Sequence, residues 1–499
     1  MTITLGLDIG TFESKGVLVE DGRVLALATA PHEMLVPRPG WAEHRPEEDW
    51  WADTVTIIGK LLATPGIAPT DIKAVALSAI GPCLVPTGSD GRALMNAILY
   101  GVDNRAATEV NEMTREIGED RILATSGNAL TSQAVGPKIL WLKRHRPEIF
   151  AAAETLGTST TWLVQRMTGA RVIDHYTAAN FAPLYDIAAQ DWTTDLVPDL
   201  VDPARLPRLL WSTEIAGEVT PDAAEATGLA PGTPVTCGTI DAAAEAVSVG
   251  LRGTGDMMMM YGSTIFLITL TPDRLIDGRL WSAPWLFPGQ HASMAGLATS
   301  GTLTHWFRDQ FAREVPREDA FPTLAAEAHA SPPGAKGLLM LPYFSGERTP
   351  IHDPNAKGTF FGLNLTHTRG DLYRALIEGI AYGTRHVTDT YAELGAPPAR
   401  LLAVGGGTKN RLWLQATSDI SGLDQIVAEI TTGAGFGNAF LAALAIGAAK
   451  ADDIDTWNPA AETIAAERHP AYEAAYPLFR SLYTATRDIA HALDRHEHD

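Results

Sequence analysis

Two stretches far apart in this chain carry one arrangement: a β-prone run, a turn of glycine and hydroxyl residues, and a second β-prone run. The first has Thr2 to Leu7, the turn Asp8-Ile9-Gly10-Thr11, then Lys15 and Gly16 to Glu20, followed by the hairpin signal Asp21-Gly22 and Arg23 to Leu27. The second has Met257 to Tyr261, Gly262-Ser263-Thr264, and Ile265 to Ile268. Strand-like and helix-like segments alternate almost throughout. A chain that builds this device twice is expected to fold as two related α/β domains meeting near residue 245, with a small-molecule cleft between them.

The length of 499 residues agrees, because single cores stop growing well below that size. A net charge of −21 argues against nucleic acid or an anionic membrane as the main partner. It leaves room for an anionic nucleotide, since a local nest of N–H dipoles and one lysine can outweigh the mean field. With only Cys83 and Cys237, and no Cys-x-x-Cys, neither a disulfide framework nor a thiolate zinc site is expected, and a reducing cytoplasm fits. No secretory signal is visible. The longest apolar stretch, Ala434 to Ala449, is rich in small residues and broken by Asn438, so it reads as a buried helix and not a membrane span.

Local chemistry points to phosphate. The turn after the first strand puts backbone N–H groups, Gly10, Thr11 and Lys15 around a concavity, and Asp8 beside it suits Mg²⁺ held through water. Gly405-Gly406-Gly407 lies between the strand Leu401 to Val404 and a helix from Asn410 to Ser421, so a ligand can approach the backbone at a helix N-terminus. In Gly238-Thr239-Ile240-Asp241, the aspartate stands at a helix start, where the dipole favours its ionised form. It reads either as a capping residue or as a general base for a substrate hydroxyl. Gly433 to Gly437 reads as a close-packed helix start. No Gly-x-x-x-x-Gly-Lys-Ser/Thr loop and no Gly-x-Ser-x-Gly elbow occurs.

Nearly the whole chain, from about Thr4 to Gly447, resembles the FGGY family of carbohydrate kinases. The resemblance is carried in order by Leu7 to Thr11, Pro39 to Glu43, Tyr100 to Arg105, Pro137 to Trp141, Met167 to Gly169 with Asp174, Asp186 with Trp192, and Gly238 to Asp241. Tyr261 to Thr264, Leu341 to Pro350 and Gly405 to Gln415 continue it.

The resemblance implies two ribonuclease-H-like domains of the actin-like ATPase type with an interdomain catalytic cleft. Residues 1–245 would carry the sugar side and first phosphate loop, and residues 246–499 the nucleotide side. It implies ATP- and Mg²⁺-dependent phosphorylation of a small sugar. Asp241 matches the base and Asp8 the metal-associated carboxylate. Gly10, Thr11, Lys15, Gly262, Ser263 and Thr264 match phosphate contacts. Gly301, His305, Gly406, Gly407 and Asn410 match the nucleotide side.

Trp41, Ile80, Gly81, Asp103, Arg105 and Asp241 are the candidates for the sugar, with Trp41 also readable as a packing residue. A pentulose such as xylulose is the first expectation; a hexulose, gluconate, a polyol such as erythritol, or a catalytically silent binding protein are the alternatives. A homodimer is compatible. The chain departs from the pattern at Phe12-Glu13 in the first loop. It departs again at Ile80-Gly81-Pro82, where xylulose-specific members carry Gln-Met-His and glycerol-specific members an Arg-Glu pair.

Overall fold

Alternation along the first strand decides how the first sheet is covered. In β1 (Ile3–Ile9), Ile3, Leu5, Leu7 and Ile9 enter the hydrophobic core of one face, while Thr4, Gly6 and Asp8 point to the other. β1 pairs antiparallel with β2 (Glu13–Glu20), which pairs antiparallel with β3 (Arg23–Pro31). On its other edge β1 pairs parallel with β4 (Ile72–Ala79). The order then continues through β6 (Pro234–Thr236) to β5 (Ile215–Glu218). The computed structural model describes residues 2–498, and among them no helix is long and apolar enough to cross a membrane.

The face of β1 bearing Thr4, Gly6 and Asp8 is covered by the helix Ala434–Ala445, apolar nearly all round. Contact is close because both surfaces are glycine-lined. A Cβ on Gly6 would lie 1.9 Å from the Gly435 carbonyl oxygen, and one on Gly437 would lie 1.9 Å from that of Ala244. Thr4 donates its hydroxyl to the Ala439 carbonyl at 2.8 Å, and Asn438 donates to the Leu7 carbonyl at 2.6 Å and to the Ser78 hydroxyl at 2.7 Å. The expected buried helix and close-packed glycine start are therefore present, and Asn438 is a cross-link to the sheet.

Two units divide the chain. The first comprises Met1–Arg252, Asp273–Ser293 and Thr432–Pro459; the second comprises Gly253–Pro272, Met294–Thr431 and Ala460–Asp499. The first unit thus takes up residues 246–252 and two further segments, Asp273–Ser293 and Thr432–Pro459, that the expected ranges assign to the second. In the second unit β7 (Asp256–Tyr261) pairs antiparallel with β8 (Ile265–Thr271) and parallel with β9 (Arg400–Val404). β9 pairs parallel with β10 (Gln425–Ala428), and β10 antiparallel with β11 (Ala460–Ile464). That is the sequence of pairings made by β2, β1, β4, β6 and β5, so the repeated device does head two sheets of like topology.

Smaller differences have local causes. After Tyr100 to Arg105 the helix Ala107–Ile117 starts only at Ala107, because the Asp103 carboxylate accepts backbone N–H bonds from Ala42 and Arg105 and holds the chain in a turn. The helix Val135–His145 ends before Pro147, which then opens Pro147–Ala152 from its first position. Near the C-terminus the chain forms the helix Pro470–His498, where Lys357 bonds Asp494 at 2.8 Å.

Candidate active site

In the first unit, carboxylates gather at the end of β1. Asp8 lies in register with Lys15 of β2 and Ser78 of β4, and accepts the Ser78 hydroxyl at 2.9 Å. Thr239 and Ile240 pair parallel with Ser78 and Ala79, which delivers Asp241 to the first position of α1 (Asp241–Ser248) beside the same strand ends. Glu245 follows one turn later on the same face. A Cβ on Gly433 would lie 2.6 Å from its carboxylate, so the start of the Ala434–Ala445 helix closes over Glu245.

Desolvation dominates the electrostatics of this cluster. It pushes Asp8 up to about 6, against the Ser78 hydrogen bond and the Lys15 charge. It holds Asp241 well above the ordinary carboxylate range, reinforced by the charge of Asp8. Glu245 rises to about 7, again through desolvation and then Asp8. The expectation that the helix start keeps Asp241 readily ionised is corrected here. Its one N–H bond, from Ala242 at 2.7 Å, is outweighed by removal from water and by a neighbouring like charge.

Among the described residues no group of three or more His, Cys, Asp or Glu side chains could enclose a metal ion. Undercompensated carboxylates of this kind nevertheless fit a Mg²⁺ bound mostly by water and phosphate oxygens, the usual way that ion is held.

The first loop is braced from behind. Gly10 N–H donates to the Glu13 carbonyl at 3.1 Å, and the Gly10 carbonyl meets the His32 ring at 3.1 Å. Glu13, the departure from the family pattern, turns to Lys15 at 3.4 Å, while Phe12 points into solvent with 62 % of its surface exposed. Lys15 is thus ion-paired on the surface, a competitor to its expected phosphate contact.

The sugar candidates divide. Arg105 is buried, with its Nε and Nη2 on Asp103 and Nη2 also on Glu43 at 2.8 Å. Its guanidinium lies 3.9 Å from the Trp41 ring centre and 5.2 Å from that of Trp141. Among the described residues its buried Nη1 has no hydrogen-bond partner. Trp41 packs edge-on to Trp141 at 5.4 Å, so its packing role is present. Asp103 and Lys138 line a cavity of about 150 Å³ to which Trp41, Ile80, Gly81 and Asp241 do not contribute.

Ile80 is corrected: its side chain is fully buried, and its carbonyl accepts from Ser159 and Cys83. Gly81 is a close-approach position, since a Cβ there would lie 2.9 Å from Ile240, next to Asp241. Glu43 and Lys138 were not among the sequence candidates. Lys138 is buried, its pKa lowered to about 8 by desolvation, and its Nζ donates to the Ser132 carbonyl at 2.5 Å.

The second unit holds a cavity of about 680 Å³. Its edge is glycine: Gly262, Gly301, Gly406 and Gly407, together with Ser263, His305 and Asn410, line it. Thr264 lies outside the lining. Close backbone approach explains the glycines. A Cβ on Gly301 would lie 2.4 Å from the Gly262 carbonyl oxygen, and one on Gly407 would lie 2.7 Å from the Trp413 ring. The Gly262 turn docks on α2 (Gly301–Phe311), whose Gly301 N–H donates to Gly262 O at 3.0 Å. Asn410 caps α5 (Arg411–Ser421) by accepting the Trp413 N–H at 3.2 Å.

The walls come from elements no motif had marked: Phe321, Pro322 and His329 of α3 (Arg317–His329) and Tyr373 of α4 (Arg369–Glu393). Aromatic walls, a glycine rim and a capped helix start suit a base with a phosphate chain. Only the chain path between β8 and α5 brings these walls together.

Comparison with known proteins agrees with the fold. Residues 3–248 match the N-terminal domain of the FGGY family of carbohydrate kinases, and residues 257–446 match its C-terminal domain. The chain is 29 % identical over 501 residues to the xylulose kinase of Bacillus subtilis, covering 99 % of each chain. It is 30 % identical over 476 residues to the glycerol kinase of Nocardia farcinica, covering 92 % of this chain and 93 % of the relative. The crystal structure of xylulose kinase from Rhodospirillum rubrum superposes with a TM-score of 0.91 at 32 % identity, covering 98 % of this chain and 100 % of that one.

Proposed function

This chain belongs to the FGGY family of carbohydrate kinases, and from that premise we propose that it transfers the γ-phosphoryl group of ATP to a hydroxyl of a pentulose such as xylulose, with Asp241 as general base. The observation that carries the nucleotide part is convergence. Seven candidates from three distant segments (Gly262, Ser263, Gly301, His305, Gly406, Gly407 and Asn410) line one cavity of nucleotide size. Support for a pentulose comes from the similarity over 99 % of each chain to a protein named xylulose kinase.

Phosphoryl transfer asks for positioning and charge neutralisation more than for covalent chemistry. Asp241 would accept the proton of the attacking hydroxyl on a carboxylate oxygen. Its raised pKa makes it a stronger base than an ordinary aspartate once it is ionised. Asp8 would hold Mg²⁺ through water, with Ser78 fixing the carboxylate that does so. That ion, when bound, supplies charge neutralisation for the phosphates. Gly262, Ser263 and the helix start at Gly301 would take phosphate oxygens, and the Phe321 and Tyr373 walls the base. Asp103 and the unpartnered Nη1 of Arg105 would serve sugar hydroxyls.

Glycerol remains the second reading, because a glycerol kinase reaches the same level of identity over nearly as much of the chain. ADP release measured with D-xylulose, L-ribulose, D-fructose, D-gluconate, erythritol and glycerol distinguishes the two. A preference for xylulose of about tenfold or more in kcat/KM supports the pentulose reading. Equal or better use of glycerol overturns it, and no ADP release with any acceptor overturns the kinase assignment.

A further inference from the structure

Away from both sites, the second unit carries a cavity of about 440 Å³ along α6 (Pro470–His498). Arg480, Thr484 and Arg487 recur at i, i+4 and i+7, so they share one face of that helix. His386 of α4 completes the polar lining, and Tyr343 and Ile351 form an apolar wall. These two belong to or adjoin the Leu341 to Pro350 segment, which the catalytic reading leaves without a task.

The charge balance here is unusual for a chain of net charge −21. No carboxylate lines the cavity among the described residues. Arg480 is exposed and makes no hydrogen bond or ion pair among the described residues; its charge acts only on the buried phenols of Tyr343 and Tyr476. Among the described residues Arg487 has one hydrogen-bonding partner, the neighbouring Asp488 at 3.3 Å on the surface, and its charge acts on the Tyr483 phenol. Asp353, the acid adjoining this region, is already occupied: Tyr483 donates to it at 2.8 Å and the His491 ring bonds it at 2.8 Å. Arg480, with no counter-ion among the described residues, and Arg487, paired at 3.3 Å with the exposed Asp488 beside it, are flanked by the Ser481 and Thr484 hydroxyls and form a cationic recess much larger than a bare phosphate needs.

We propose that this recess binds a phosphate monoester of a small polyhydroxylated molecule, with Arg480 and Arg487 on the phosphate and the Ser481 and Thr484 hydroxyls and His386 on the polyol. A carbohydrate kinase makes ligands of this class, so such a site would respond to the level of its own type of product. The segment that walls the recess also reaches the nucleotide side of the unit. Glu347 accepts the Ala298 N–H at 2.7 Å, three residues before Gly301, and Thr349 accepts the Gly296 N–H at 3.2 Å.

The test is calorimetric titration of the full-length protein with glucose 6-phosphate, inorganic phosphate and glucose, repeated with Arg480→Gln and Arg487→Gln. Both side chains are exposed, so the variants are expected to fold and to keep wild-type thermal stability and ATP turnover. Glucose 6-phosphate should bind saturably, and each substitution should weaken it about tenfold or more, as loss of a charge-assisted hydrogen bond does. Glucose should not bind measurably at this site, and inorganic phosphate should bind more weakly than the ester. Absence of binding by glucose 6-phosphate, or binding unchanged in both variants, overturns the site. Inorganic phosphate binding as well as the ester overturns the polyol part.

Discussion

Replacement of Asp241 by asparagine separates catalysis from folding. Among the described residues the Asp241 carboxylate makes one hydrogen bond, accepting the Ala242 N–H at 2.7 Å, and it faces the like charge of Asp8. An asparagine keeps the accepting oxygen, breaks no ion pair and removes the repulsion. The variant is therefore expected to be at least as stable as the wild type above about pH 5. What it loses is the ability to take a proton. Positioned general bases contribute about 10²–10⁴-fold, or about 2.7–5.4 kcal/mol of barrier.

Turnover by coupled ADP release, on the acceptor that the panel identifies, should fall by that factor. ATP affinity, read by equilibrium binding, should stay within about twofold, because the nucleotide cavity is built from other residues. A variant retaining more than about a tenth of wild-type turnover would refute Asp241 as the base. A variant that loses turnover together with several degrees of thermal stability would refute the claim that its role is not structural.

Three further outcomes follow from the same geometry. Asp8→Asn should raise the Mg²⁺ concentration needed for half-maximal activity. It should also move the acidic limb of the kcat/KM profile to lower pH, since the charge of Asp8 helps to hold the Asp241 carboxyl up; an unmoved limb would contradict the coupling. Glu245→Gln should raise the melting temperature of the ligand-free protein by a few degrees at pH 8 and leave it unchanged at pH 4. A carboxyl raised to about 7 in the folded state contributes stability below its unfolded pKa, and that stability is lost as pH rises from about 4 to 7. Gly407→Ala should raise the KM for ATP with little change in kcat, because its Cβ would lie 2.7 Å from Trp413 and 2.9 Å from the Tyr261 Cβ, pushing the cavity wall inward.

How far the primary structure reaches can be judged from particular residues. The strands Ile3–Ile9 and Asp256–Tyr261 were legible with the turns that follow them, because side-chain alternation and glycine tolerance are properties of a few consecutive residues. Gly262, Ser263, Gly406, Gly407 and Asn410 could be named in advance for the same reason, since each stands in a short motif whose backbone conformation is local; Gly301 and His305 came only with the family resemblance.

Tertiary structure alone decided the rest. It returns Ala434–Ala445 to the first sheet, where Gly6 leaves room for it and Asn438 ties it to Ser78. It buries Ile80, expected to meet substrate, and supplies Phe321 and Tyr373 as cavity walls from helices without a motif. It also reverses the expected electrostatics of Asp241. A helix start acts over one turn and is written in the sequence nearby. Desolvation and the charge of Asp8, more than two hundred residues away along the chain, depend on which surfaces the fold removes from water.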